Sequence, residues 1–164
     1  MKKGSTIFLQ VVVVALGIVA LAIMIRFPLT EGRATNLDLV SIYTYPLLVY
    51  GYLASVSFFI ALYQAFKLLG YIRQNKALSL SSVKALRTIK YCAIVLSASI
   101  VIAALYIRIS YAIHPKSDDD PAGFLAMCIV TTFISIVVAT AASVFEKILQ
   151  SAVDIKSENP TVKK

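Results

Sequence analysis

Apolar residues in this chain gather into four long runs separated by short polar segments, a pattern that predicts helices crossing a bilayer. The first run, Thr6 to Ile25, is twenty residues without a charge, and Gln10 is its one large polar side chain. At a rise of ~1.5 Å per residue it reaches about 30 Å, the thickness of a bilayer's hydrocarbon core. Lys2 and Lys3 precede it, as they would a signal peptide, but the run outlasts the apolar region of a cleavable signal. It also ends in Ile25-Arg26-Phe27-Pro28, with no small-residue cleavage site. An uncleaved span is expected. A mixed polar stretch over 26–41 follows, with Pro28 and Gly32 as turn formers.

The second span is predicted over about 42–66. Tyr43, Tyr45, Tyr50 and Tyr52 crowd its start, where an aromatic belt at headgroup level is the expected role. The segment from Lys67 to Lys90 carries six basic residues and no acid. Within it Ser81 or Ser82 is expected to cap a helix that runs directly into the third span, about 91–109. A short acidic connector, His114 to Asp120, ends in Asp120-Pro121, a carboxylate cap followed by a first-turn proline. The fourth span is predicted over about 122–145, its helix continuing into a tail over 146–164.

Composition agrees with this pattern. Of 164 residues, 59% are hydrophobic and 15% charged, against roughly 45–50% and ~25% in soluble domains. The expectation is therefore an all-α, integral membrane four-helix bundle, a single membrane domain over 1–164. The net charge of +8 is unevenly placed. The amino terminus, the 67–90 segment and the tail hold twelve of the sixteen Lys and Arg residues, and the two opposite connectors hold four: Arg26, Arg33, Arg108 and Lys116. Basic flanks stay on the cytoplasmic side, so both termini are expected there, in the inner membrane. The same residues suit contact with anionic membrane lipid. No recognition motif accompanies them, so nucleic-acid binding is not expected.

Chemistry is scarce. The cores of the four spans lack Asp, Glu, Lys, Arg and His, which argues against a proton-coupled pump or an intramembrane metalloprotease. His114 with Asp118 to Asp120 could be imagined around a metal, but a solvated loop and helix cap explains them more simply. Cys92 and Cys128 sit at depths that differ by roughly 20 Å, too far for a disulfide. No catalytic residue, cofactor or metal site is expected. The hydroxyls and small residues of the fourth span, Thr131 to Ser143, read as bundle packing, with an oligomer seam as the other reading.

The remaining candidate is a surface. Antiparallel third and fourth helices would bring Lys84, Arg87 and Lys90 toward Glu146, Asp154 and Glu158, forming a joint cytoplasmic face. Those two stretches, Leu80-Ser81-Ser82-Val83-Lys84-Ala85-Leu86-Arg87-Thr88-Ile89-Lys90-Tyr91 and Val144 to Asn159, also resemble a known family. It is the bacterial family of domain of unknown function 2975, small four-span membrane proteins that include YoaS-like proteins. Leu80 stands where that family has a phenylalanine, and Pro160-Thr161-Val162 shortens its usual ending. The resemblance implies a bacterial inner-membrane protein without an established activity. Frequent association with small helix-turn-helix regulators implies a cytoplasmic partner of that kind. The functional expectation is a non-enzymatic scaffold or regulatory protein with a partner-binding cytoplasmic face. A small transporter, channel or immunity-type protein is the alternative.

Overall fold

The computed structural model describes residues 3–30, 46–113 and 122–158, and all four elements in them are α-helices. They are α1 (Lys3–Thr30), α2 (Pro46–Arg73), α3 (Leu80–Ile113) and α4 (Ala122–Glu158). Each is long and apolar enough to cross a membrane. Large apolar side chains such as Phe8, Leu53, Ile102 and Phe133 point outward along their lengths. Lipid tails are as apolar as these side chains, so nothing drives them inward.

The helices pack in chain order, α1 on α2, α2 on α3 and α3 on α4, and the last pair is the most extensive. Paired residues show each neighbour to be antiparallel. A Cβ on Gly17 of α1 would come within 3.0 Å of Leu62 on α2, and one on Gly70 would lie 3.7 Å from the Gln10 amide. Glycine at position 17 is therefore what lets α1 approach α2 so closely.

A proline explains the tie at one end of that pair. Helix α1 continues through Pro28 to Thr30, past the apolar run. Pro28 has no N–H, so the Met24 carbonyl loses its usual partner four residues on. The Tyr52 hydroxyl of α2 donates to that carbonyl at 3.1 Å. Tyr50 likewise donates to the Ser99 carbonyl of α3 at 3.1 Å. These two phenols, expected from the sequence at headgroup level, also tie helices together, each hydroxyl satisfied by a carbonyl of a neighbouring helix. Tyr43 and Tyr45 lie outside the described residues.

At the opposite, basic end, a six-residue connection joins α2 to α3. Asn75 adopts a left-handed φ of 56°. Its N–H reaches the Ile72 carbonyl at 3.1 Å and that of Lys76 reaches Tyr71 at 2.9 Å, a Schellman ending. The residue that caps α3 is Ser79, not Ser81 or Ser82. Its hydroxyl accepts from the Ser82 N–H at 3.3 Å, and its carbonyl accepts from Ser82 at 3.0 Å and Val83 at 3.2 Å. Ser82 is instead buried, its hydroxyl donating to the Lys76 carbonyl at 3.3 Å. The Asp120 cap falls outside the described residues, and α4 begins at Ala122.

Among the described residues, most of the buried positions gather toward this basic end: Thr6, Ser82, Val83, Ala85, Leu86, Ala142 and Glu146. The bundle is thus closest-packed where the helices leave the apolar zone.

If Tyr52 compensates for Pro28, Tyr52→Phe should cost about 1 kcal/mol, the usual net worth of such a bond. Replacing Pro28 by Ala restores an intrahelical donor and should remove most of that penalty. A double-mutant cycle of thermal unfolding in detergent measures the coupling; additive costs would show that the bond does not depend on the proline.

Candidate functional site

Helix α4 presents one continuous inward stripe. Cys128, Thr132, Ser135, Ala139, Ala142, Glu146, Leu149 and Val153 alternate spacings of four and three, and every one is buried or half-buried. That is the knobs-into-holes repeat of a left-handed helix pair. Through Ala142 the stripe is built of small or hydroxyl-bearing side chains, which let two helices approach closely within lipid. Thr131 and Thr140 fall outside it. Their hydroxyls donate to the Met127 and Ile136 carbonyls of their own helix, at 2.7 and 2.9 Å. Both cysteines are free, Cys128 buried and Cys92 half-buried.

Helix α3 answers with Val83, Leu86, Lys90, Ala93 and Ser97, again at spacings of three and four and again buried or half-buried. Each seam therefore carries one charged residue, Lys90 on α3 and Glu146 on α4. They meet: Lys90 Nζ lies 2.6 Å from Glu146 Oε2. Arg87, three residues before Lys90 and so on a neighbouring face of the helix, places Nε 2.7 Å from Glu146 Oε1. One carboxylate is thus clamped by two cations, one on each oxygen.

The exposures of the three side chains differ. Glu146 is only 10% exposed, Lys90 is 21% and Arg87 is 53%. An unpaired carboxylate at so covered a position would be costly, and charge-assisted bonds to both oxygens remove that cost. Arg87 closes the solvent side of the pair, and its own exposed charge contributes correspondingly less. Lys90 also lies over the Tyr91 ring, 5.2 Å from its centroid.

Of the six residues expected on a joint face, the structure brings Arg87, Lys90 and Glu146 together and leaves three apart. Lys84 is exposed on α3. Asp154 is exposed and accepts from Gln150 Nε2 at 2.9 Å, within its own helix. Glu158 is exposed at the end of α4. The seam explains the selection: Glu146 lies on the three–four repeat, whereas Asp154 falls one residue past Val153 and Glu158 beyond the last seam position. Among the described residues, no three His, Cys, Asp or Glu side chains gather as a metal site would require. His114 and Asp118 to Asp120 lie outside the described residues.

Four antiparallel, lipid-facing helices with their charged residues gathered at the ends define a multi-span helical membrane protein without a recognised chemistry. Residues 28–162 match the family described as Protein of unknown function (DUF2975). The chain belongs to that family, in keeping with the resemblance carried by its two charged helix ends. It is similar to the uncharacterized membrane protein YoaS of Bacillus subtilis (strain 168), with 40% identity over 161 residues. That alignment spans 97% of this chain and 98% of the relative. No solved structure matches the chain.

Reversing only Arg87 to Glu should place two carboxylates side by side and lower the thermal midpoint in detergent. Adding Glu146→Lys should restore it only in part, because Lys90 would then face another lysine. Inverting all three (Arg87→Glu, Lys90→Glu, Glu146→Lys) should recover most of the loss. Equal midpoints for the double and triple variants would show that Lys90 contributes nothing to the clamp.

Proposed function

We propose that this protein is a non-enzymatic scaffold of the bacterial inner membrane whose cytoplasmic face docks a soluble protein partner. The observation that carries this reading is the clamp of Arg87 and Lys90 on Glu146, which joins the start of α3 to the exit of α4. Past Phe145, α4 continues as a helix to Glu158, roughly 20 Å at ~1.5 Å per residue. Ile148 and Ile155 are 57% and 61% exposed on that extension, beyond the 122–145 span expected from the sequence. Apolar side chains on a water-exposed helix suit a partner's groove or helix.

The charge pattern supports the orientation. Lys67, Arg73, Lys76 and Lys84 are all exposed around the same end, as are Lys147 and Lys156 on the α4 extension. Short basic flanks of this kind are retained in the cytoplasm. A partner for this face would bring acidic side chains around an apolar patch. A helix-turn-helix regulator, suggested by family association, is one such candidate. The rival reading, a bundle that moves a solute or engages a peptide, would need polar groups along a path across the bilayer. The small-residue stripe of α4 instead serves its packing against α3.

Two measurements test this reading. With Cys92 and Cys128 replaced by Ala, a single cysteine at Gln74 should react with an impermeant maleimide only after the membrane is opened. Labelling in intact cells would invert the orientation. A photo-crosslinking residue at Ile155 in native membranes should capture a soluble protein, and Arg73→Glu with Lys76→Glu should reduce that capture severalfold. Crosslinks to lipid alone, or capture unaffected by charge reversal, would remove the docking role.

A further inference from the structure

Just inside the clamp, α3 and α4 part along a groove of 420 Å³. Lys90, Ile94 and Ser97 form one wall, and Ala139, Thr140 and Ser143 form the other. Lys90 to Ser97 on α3 and Ile136 to Ser143 on α4 are each seven residue steps apart, so the groove runs roughly 10 Å along the bundle. It starts at the level of the clamp and extends into the apolar zone, where Ile136 closes the far end. The small side chains of Ala139 and Ser143 keep its wall low. Ile94 and Ile136 are about half exposed and Thr140 is exposed, so the groove opens outward, where the bilayer lies.

Its two ends differ chemically. The deep end is flanked by isoleucines, and the Thr140 hydroxyl there is turned back on the Ile136 carbonyl at 2.9 Å. Ser97 is likewise bonded to its own helix, donating to Ala93 at 2.9 Å. Neither hydroxyl therefore holds a donor ready for a ligand. The mouth carries the Lys90 ammonium, which has three N–H donors and spends one on Glu146 Oε2. Arg87 and Lys90 bring two positive charges to one carboxylate, so one positive charge is uncompensated. Lys84 is exposed one turn before Arg87.

We propose that this groove seats one anionic phospholipid of the surrounding bilayer, its phosphate at Lys90 and one acyl chain along Ile94, Ala139 and Ile136. Basic pockets between spans at the cytoplasmic side are suited to such headgroups. Charge complementarity selects the occupant. A second copy of this chain, with the same net charge of +8, would bring like charge to the mouth, and a zwitterionic lipid would bring its own cation. The seat faces the bilayer and is independent of any soluble partner.

The test is native mass spectrometry of the full-length protein released from nanodiscs of equal phosphatidylglycerol and phosphatidylcholine. Phosphatidylglycerol should be retained about fivefold over phosphatidylcholine, the discrimination one surface cation supplies. Lys90→Gln should abolish the preference and Lys90→Arg should keep it. Thr140→Leu fills the groove from an exposed position without touching the clamp, and should lower retention of phosphatidylglycerol while leaving the thermal midpoint unchanged. Ser143→Leu gives a second, independent filling. Equal retention of the two lipids by the unmodified protein would overturn the proposal. So would undiminished retention in both filled variants, or a dimer mass in place of lipid adducts.

Discussion

Glu146 occupies a position in the α3–α4 seam that a small or apolar side chain would otherwise fill, and the packing of this end of the bundle follows from satisfying it. The residues before it in the stripe, Cys128 through Ala142, are small and uncharged, and the two after it are Leu149 and Val153. Such a seam could slide by one turn with little change in contact. The carboxylate forbids this, because Arg87 and Lys90 reach its two oxygens in one register only. A single polar site in a coiled-coil-like seam commonly sets alignment in this way. The Schellman ending at Asn75 and the Ser79 cap then hold the start of α3 at the height this register needs.

Away from the clamp, different physics holds the helices together. In lipid there is no hydrophobic gain from burying one apolar side chain against another, so close backbone approach and directed hydrogen bonds must serve. Gly17 supplies the approach between α1 and α2, and Tyr50 and Tyr52 supply the bonds. Tyr52 shows how a local irregularity is absorbed. Pro28 extends α1 at the expense of one hydrogen bond, and a phenol from the next helix takes the orphaned carbonyl. Among the described residues, buried positions are correspondingly sparse in the spans and denser at the basic end, where water returns as solvent and burial is again favourable.

The two functional readings share this end but use different sides of it. A soluble partner would meet the α4 extension with Ile148 and Ile155, beyond the span. A lipid would meet the groove beside Lys90, facing the bilayer. Both draw on the same excess of positive charge, of which the clamp neutralises one unit.

Four helices and the unequal charge of their flanks are legible in the sequence, because length, hydropathy and sign need no knowledge of neighbours. The membership of the family is legible for the same reason, carried by two local stretches. The pairing of the α3 start with the α4 exit follows from chain order as well, since short connections force antiparallel neighbours. Which acid meets Arg87 and Lys90 is not legible in this way. Glu146, Asp154 and Glu158 are equally charged and close in sequence, and only the rotation of α4 about its axis seats Glu146 inward. Lipid blurs that rotation, since large apolar side chains are stable on every face, and Thr131 and Thr140, hydroxyl-bearing but exposed, break up the stripe of small residues that marks the inner one. Tertiary packing decided it. The same packing made Tyr50 and Tyr52 interhelical ties, because which carbonyl a phenol meets depends on a neighbouring helix that the local sequence does not describe.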